Sequence, residues 1–451
     1  MTPVRPPHHR PLTEPEAGLI ELGELSPGSA PEPQPRRRPI RPVDIRRYGL
    51  AAGVVLCLLA LAGSARPGPG GPPVLWQMTA PDGQFVLAGD AVYVMEPLGG
   101  TTITRYEAAN GRQRWTRIMP RITAWLSTDI PGVLLLPEVG QTNLVQTVTE
   151  TLALDAADGT ELWRRPGEAS ATAGGTVLTT EWDTKGERVS RLRLIRTADG
   201  ATVWDFRPDT PASGWTTLGP DPARPDRIAT VTGQGHLEVR RFADGSLVTA
   251  GTVPWLVPTA ENHDDFAYVS GADDLLFVSR AQDGVQDILA YRANTLERLW
   301  QVRSTTGYGM FDCGPVICVG SDSGVDARDP ATGKVMWQAD GVDWARPLTG
   351  GRLLGQGREY GRSVLIDDRT GRVLQDLGAA ENVLEPEPGR LLIVGHTRSA
   401  PFGTKISELD DRGRLRPRAF VGLVSDQGCQ AAGRYLACVG PGGQLTVRDL
   451  G

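Results

Sequence analysis

The sequence predicts an all-β protein, a β-propeller, and three observations predict it. A ten-residue pattern recurs along most of the chain, its copies are evenly spaced, and the composition is rich in the residues of tight turns. The pattern reads L-D-A-A-D-G-T-E-L-W at 154–163, Y-E-A-A-N-G-R-Q-R-W at 106–115 and R-D-P-A-T-G-K-V-M-W at 328–337. Weaker copies lie at 196–204, 241–249 and 291–300, and two without Trp at 367–374 and 410–415. Successive Trp residues are 48 (115 to 163), 41 (163 to 204) and 37 (300 to 337) residues apart. One hairpin per roughly 40 residues is the period of a propeller. With 55 Gly, 36 Pro and 11 Trp in 451 residues, composition agrees. Repeat folds reach such lengths by adding units rather than by thickening one core.

Each position of the pattern has a physical reason. Alternation before it, as at Thr151, Ala153 and at Leu192, Leu194, is that of a strand. An Asp or Asn then closes a turn by bonding the backbone two residues on. A Gly such as Gly159 or Gly200 supplies the positive φ that ends a short hairpin loop. The next strand carries the Trp, at Trp115, Trp163, Trp204, Trp300 and Trp337, whose large apolar area suits a wedge between neighbouring blades. At the C-terminal end, 444–449 matches the strand before the turn, and the following Trp strand is found instead at 74–77, with Trp76. The expectation is a ring in which the N-terminal strand closes the last blade and leaves no free sheet edge. Four-stranded blades number eight or nine: nine is the literal count, whereas propellers usually have four to eight.

Residues 1–48 are a different polymer, expected to be a disordered Pro/Arg-rich cytoplasmic tail. They hold eleven Pro and little apolar pattern, too little to offset the entropy of ordering. Leu19, Ile20, Leu22 and Leu25 form the tail's one apolar cluster, a candidate motif for a cytosolic partner or a chance grouping. Residues 49–65 are uncharged and at the short end for a transmembrane helix. Arg46 and Arg47 precede them and only Arg66 follows, so the N-terminus is expected in the cytoplasm and the propeller, 74–451, outside the cell membrane. A signal peptide cleaved near Ala60–Ala62 and a twin-arginine signal at Arg46–Arg47 are the alternatives. Residues 66–73, R-P-G-P-G-G-P-P, are a linker. Cys57 reads as a small apolar residue of the helix.

The other four cysteines fall in two local pairs. Cys313 with Cys318, and Cys429 with Cys438, are expected to form disulfides across the first two strands of two blades. Spacings of five and nine, with no nearby His, fit zinc poorly. Beyond the tail there are 39 basic and 47 acidic residues, a net of −8, which argues against nucleic-acid binding. Scarce Lys against abundant Arg is the bias of a GC-rich bacterial genome.

Three copies of the pattern, at 106–115, 154–163 and 328–337, resemble the repeat of the pyrroloquinoline-quinone-type (PQQ-like) propellers, over nearly all of 74–451. The superfamily holds quinone-dependent dehydrogenases, outer-membrane assembly scaffolds and cofactor-free envelope proteins. The resemblance implies, for the dehydrogenases, a calcium or lanthanide ion, a catalytic Asp and usually a disulfide of adjacent cysteines. This chain has no adjacent cysteines, and no Asp or Glu matches the catalytic position. The expectation is therefore no catalytic, cofactor-binding or metal residue, and no cofactor. PQQ with calcium belongs to the alternative reading.

The remaining motifs are weak. Gly320–Gly324 places Asp322 where a nucleophile elbow needs Ser, and reads as a turn. Gly355–Gly361 departs from the dinucleotide fingerprint. His236, His263 and His396 are isolated, and Asn262–Asp265 with Asp273–Asp274 read as solvated acidic loops rather than a cation site. The expected function is non-enzymatic binding of a protein or envelope ligand by an extracytoplasmic scaffold. The alternatives are a PQQ-dependent dehydrogenase and a transmembrane sensor signalling to a cytosolic partner.

Overall fold

The computed structural model describes residues 71–451, apart from 80–83, 98, 143–144, 222–223, 257–264, 305–308, 358–361, 398–401, 411–413 and 426–427. The proposed tail, its Leu19–Leu25 cluster and the 49–65 span lie outside the described residues. The chain divides into Met1–Gly68 and Pro69–Gly451. Among the described residues every regular element is a strand, and no helix is long and apolar enough to cross a membrane.

The strands form antiparallel meanders of four, in chain order 84–119, 122–166, 168–206, 212–252, 266–304, 310–340, 342–378 and 380–421. The meander 122–166 splits its first strand in two, Ile122–Thr123 and Ser127–Ile130, both paired to Val133–Thr142. Meanders 168–206 and 212–252 share one sheet through the single pair Val189 and Ala212. A last sheet joins Cys429–Ala432, Tyr435–Gly440 and Gln444–Asp449 to Val74–Thr79, with Trp76 opposite Val447 and Thr79 opposite Gln444.

The sheets stack face to face, so the middle strands are buried on both sides and read as apolar runs, such as Leu134–Leu136 and Leu391–Val394. The fourth strands bury alternate residues only, as Gln113–Met119 does. Each apolar core is shared by two successive meanders. Leu135 and Trp163 pack with Val177 and Ile195, and Leu392 and Ala419 with Cys429 and Leu436. The core of Phe85, Val92, Leu445 and Val447 joins the final sheet to meander 84–119 and returns the series to its start.

The repeated Trp spans these junctions. Trp163 is 4% exposed, and its indole N–H donates to the Thr197 carbonyl in the next meander at 2.6 Å. The same bond joins Trp76 to Ala108 (2.8 Å), Trp115 to Ala156 (3.2 Å), Trp204 to Phe242 (2.7 Å), Trp300 to Pro330 (2.8 Å) and Trp337 to Asp368 (3.1 Å). Each ring lies against the Gly of the neighbouring turn. A Cβ built on Gly200 would stand 2.7 Å from Trp163, and Gly200 has φ +66°. No side chain fits there, and an L-residue is strained in that conformation.

The junction between meanders 212–252 and 266–304 pairs Thr with Leu. Meander 212–252 has Thr249, opposite Val239, where six strands carry Trp and meanders 342–378 and 380–421 carry Gln375 and Pro417. The facing turn has Leu296, with φ 55°, where the others carry Gly. Leu296, like Val248 and Trp255, packs against the buried core of Val239, Leu276 and Leu289, and its Cδ1 lies 3.0 Å from a Cβ built on Gly251. The branched side chain fills the volume that the absent indole vacates, and about 1–2 kcal/mol of left-handed strain is the cost.

Candidate functional site

Five tryptophans, at 125, 182, 215, 255 and 344, fall outside the decapeptide. Three of them line one groove of about 440 Å³ together with Ser127, Asp129, Leu135 and the strand segment 168–172. Trp125 lies between the two halves of the split first strand, 38% exposed, beside buried Leu126. Trp182 ends strand Thr176–Trp182, and its indole N–H donates to Glu168 Oε2 at 2.8 Å. Trp215 sits mid-strand in Ala212–Leu218 opposite Thr230. The first strands carry bulges at Ala169/Ala171 and Ala212/Gly214, devices that re-aim the side chains beside them.

The groove's hydroxyls are held locally. Ser127 Oγ donates to Asp129 Oδ2 at 2.7 Å, and Ser170 Oγ to Thr180 Oγ1 at 2.8 Å. The lining holds no His, Cys or Lys, and its hydroxyl–carboxylate pair is Ser127 with Asp129. It offers indole faces and two carboxylates, one oriented by Trp182. That combination suits an Arg- or Lys-bearing segment, held by cation–π contact and charge pairing.

Two other cavities lie between sheets, about 470 Å³ beside Asp90, Arg105 and Val133, and about 400 Å³ beside Gln77, Leu423 and Arg448. In the first, burial pushes the Tyr93 phenol above its usual range. Many charges elsewhere tie strands together. Glu138, wholly buried, meets Arg164 and Arg121, and Arg164 also reaches Glu150 at 2.9 Å.

Cys429 faces Cys438 across the first two strands of the last sheet, bonded with a Cα separation of 4.1 Å. Cys313 is bonded to Cys318 at 5.8 Å. It stands one residue beyond strand Met310–Asp312, in the turn, where its N–H donates to the Val316 carbonyl at 3.2 Å; the expectation of a bond from strand to strand is corrected there. Asp322 lies in the turn between Ile317–Ser321 and Gly324–Arg328. His236 is an exposed strand residue 3.4 Å from Glu238, and His396 ends strand Arg390–His396. Asp274 is occupied by Arg227 and Asn294, while 262–264 and 358–361 lie outside the described residues. Among the described residues no three His, Cys, Asp or Glu converge as a donor set for a cation.

No curated protein sequence matches the chain. Among solved structures, BamB from Moraxella catarrhalis is 14% identical, with a TM-score of 0.44 over 84% of this chain and 99% of that one. The computationally designed Ika8 protein is 11% identical, TM-score 0.46, over 84% and 100%. Sqt1 of Saccharomyces cerevisiae is 12% identical, TM-score 0.36, over 83% of each chain. The family model for outer membrane protein assembly factor BamB matches residues 71–190 and 185–340, more than half of the chain, and the protein belongs to that family of PQQ-like β-propeller repeat proteins.

Proposed function

We propose that this protein is a non-enzymatic scaffold of envelope assembly that holds a protein partner in the Trp125–Trp182–Trp215 groove. The observation that carries the reading is the groove itself, with three indoles and two carboxylates in its lining. Family membership supports the scaffold class, since the matching family is described as an assembly factor. In this reading each four-strand meander is a blade, and the final sheet makes the ninth. Residues 49–65 anchor the chain with its N-terminus in the cytoplasm, and the propeller lies outside, where its two disulfides persist. Leu19–Leu25 is the place for a cytosolic contact.

The test is a crosslinking pull-down from membranes with the full chain and with Trp182→Ala and Trp215→Ala. Proteins retained by the wild type are expected to be lost from both variants under conditions where circular dichroism shows each variant folded, since both rings also pack against the core. Undiminished capture refutes the groove as the contact. Dye reduction with alcohols or sugars, dependent on added quinone and calcium, would replace the scaffold reading with an oxidoreductase.

A further inference from the structure

Meander 380–421 and the residues just after it expose large apolar side chains that no core uses. Phe402 is 64% exposed, Phe420 43% and Leu423 52%. The patch is built rather than incidental. Gly403 has no side chain, and a Cβ there would stand 2.6 Å from the Phe420 ring, so the ring lies over Gly403, next in sequence to Phe402. Cations surround it. Lys405 faces Phe420 across the ladder, and Arg416 and Arg418 precede Phe420 on its own strand, all three exposed. Arg416 pairs with Asp410 and Arg418 with Glu408, so these arginines are already oriented at the rim.

Where the chain enters the domain decides the occupant. A Cβ on Gly71 would meet the Phe420 backbone at 3.7 Å, so the first described residue lies beside the strand that carries Phe420. The uncharged stretch 49–65 ends six residues earlier, a reach of at most ~22 Å when fully extended. We infer that the Phe402–Phe420–Leu423 face rests on the bilayer that holds residues 49–65. Its rings enter the interfacial layer, and Lys405, Arg416 and Arg418 meet anionic headgroups. The inference rests on the anchor reading above.

The experiment reconstitutes the full chain into phosphatidylcholine–phosphatidylglycerol vesicles containing a phospholipid with a photoreactive acyl chain. Labelled peptides are then mapped after an alkaline wash. Labelling at 402 and 420–423 is expected well above Leu247 and Met336, equally exposed apolar residues of other meanders. It should fall to their level in a Phe402→Ser, Phe420→Ser, Leu423→Ser variant of unchanged melting temperature. Protein that survives the wash with the patch labelled no more than Leu247 and Met336 overturns this inference and leaves the anchor standing. Protein lost in the wash overturns the anchor and the inference together. Crosslinks from the patch to another protein in native membranes, without lipid labelling, assign it to that protein and also overturn the inference.

Discussion

The junction at Gly200 offers a quantitative test of what joins the blades. Replacing Gly200 with Ala puts a methyl carbon 2.7 Å from the Trp163 ring, in a residue at φ +66°. The conformational strain alone costs about 1 kcal/mol, and overpacking against a fixed indole adds about 1–3 kcal/mol. Gly89 separates the two effects. Its φ is +58° and nothing lies within 4 Å of its built Cβ, so Gly89→Ala bears the strain without the clash. The entropy that Ala removes from the unfolded chain is common to both and cancels. Trp163→Ala is expected to cost about 3–5 kcal/mol for its lost volume. Once the indole is gone the clash is gone too, so the double variant with Gly200→Ala should be less destabilised than the sum, by about 1–2 kcal/mol. Far-UV circular dichroism during urea unfolding reads all four variants. Equal losses at Gly89 and Gly200, or strict additivity with Trp163→Ala, would refute the wedge.

Three further outcomes are expected. Hydrogen bonds from Arg112 and Asn110 hold the Glu107 carboxyl at about 2, against an ordinary 4.5. Its contribution is therefore complete above pH 4.5 and lost as the pH falls toward 2. Over that window the melting temperature of Glu107→Gln should fall less steeply than that of the wild type. Peptide mapping without reduction should recover Cys313 joined to Cys318 and Cys429 to Cys438. Because the second loop spans only nine residues, Cys429→Ser with Cys438→Ser should cost less than the ~3 kcal/mol of a 15-residue loop, measured by denaturant titration. Deleting 74–77 exposes strand Gln444–Asp449 and removes the Trp76 bond to Ala108. Light scattering should show aggregation, and a soluble variant of unchanged melting temperature would contradict the closure.

The turns were legible because their chemistry is local. Asp155 accepts from Ala157 N–H at 2.7 Å and Asp158 from Thr160 N–H at 2.9 Å, bonds within a few residues that composition alone announces. Local cysteine spacing exposed both disulfides in the same way. The groove was not legible, because Trp125, Trp182 and Trp215 come from three meanders and hold no common place in the repeat. Bulges that no residue type marks re-aim the strands beside them. The exchange of Trp and Gly for Thr249 and Leu296 was half visible. The copy at 291–300 plainly lacks its Gly, but its partner change lies some 47 residues earlier in another meander. A relation between neighbouring repeats cannot be read within one repeat.

The final sheet also imposes an order in time. Gln77 and Gln444 touch across a separation of 367 residues, which a ribosome covers in roughly 20–70 s. For that interval the earliest strand waits without its partner, its backbone open to any passing strand. Every other strand finds its neighbour within its own meander and can settle as it is made. The ring is thus completed by its oldest segment meeting its youngest, and the vulnerability of the newborn chain is concentrated in one short stretch, Val74–Thr79.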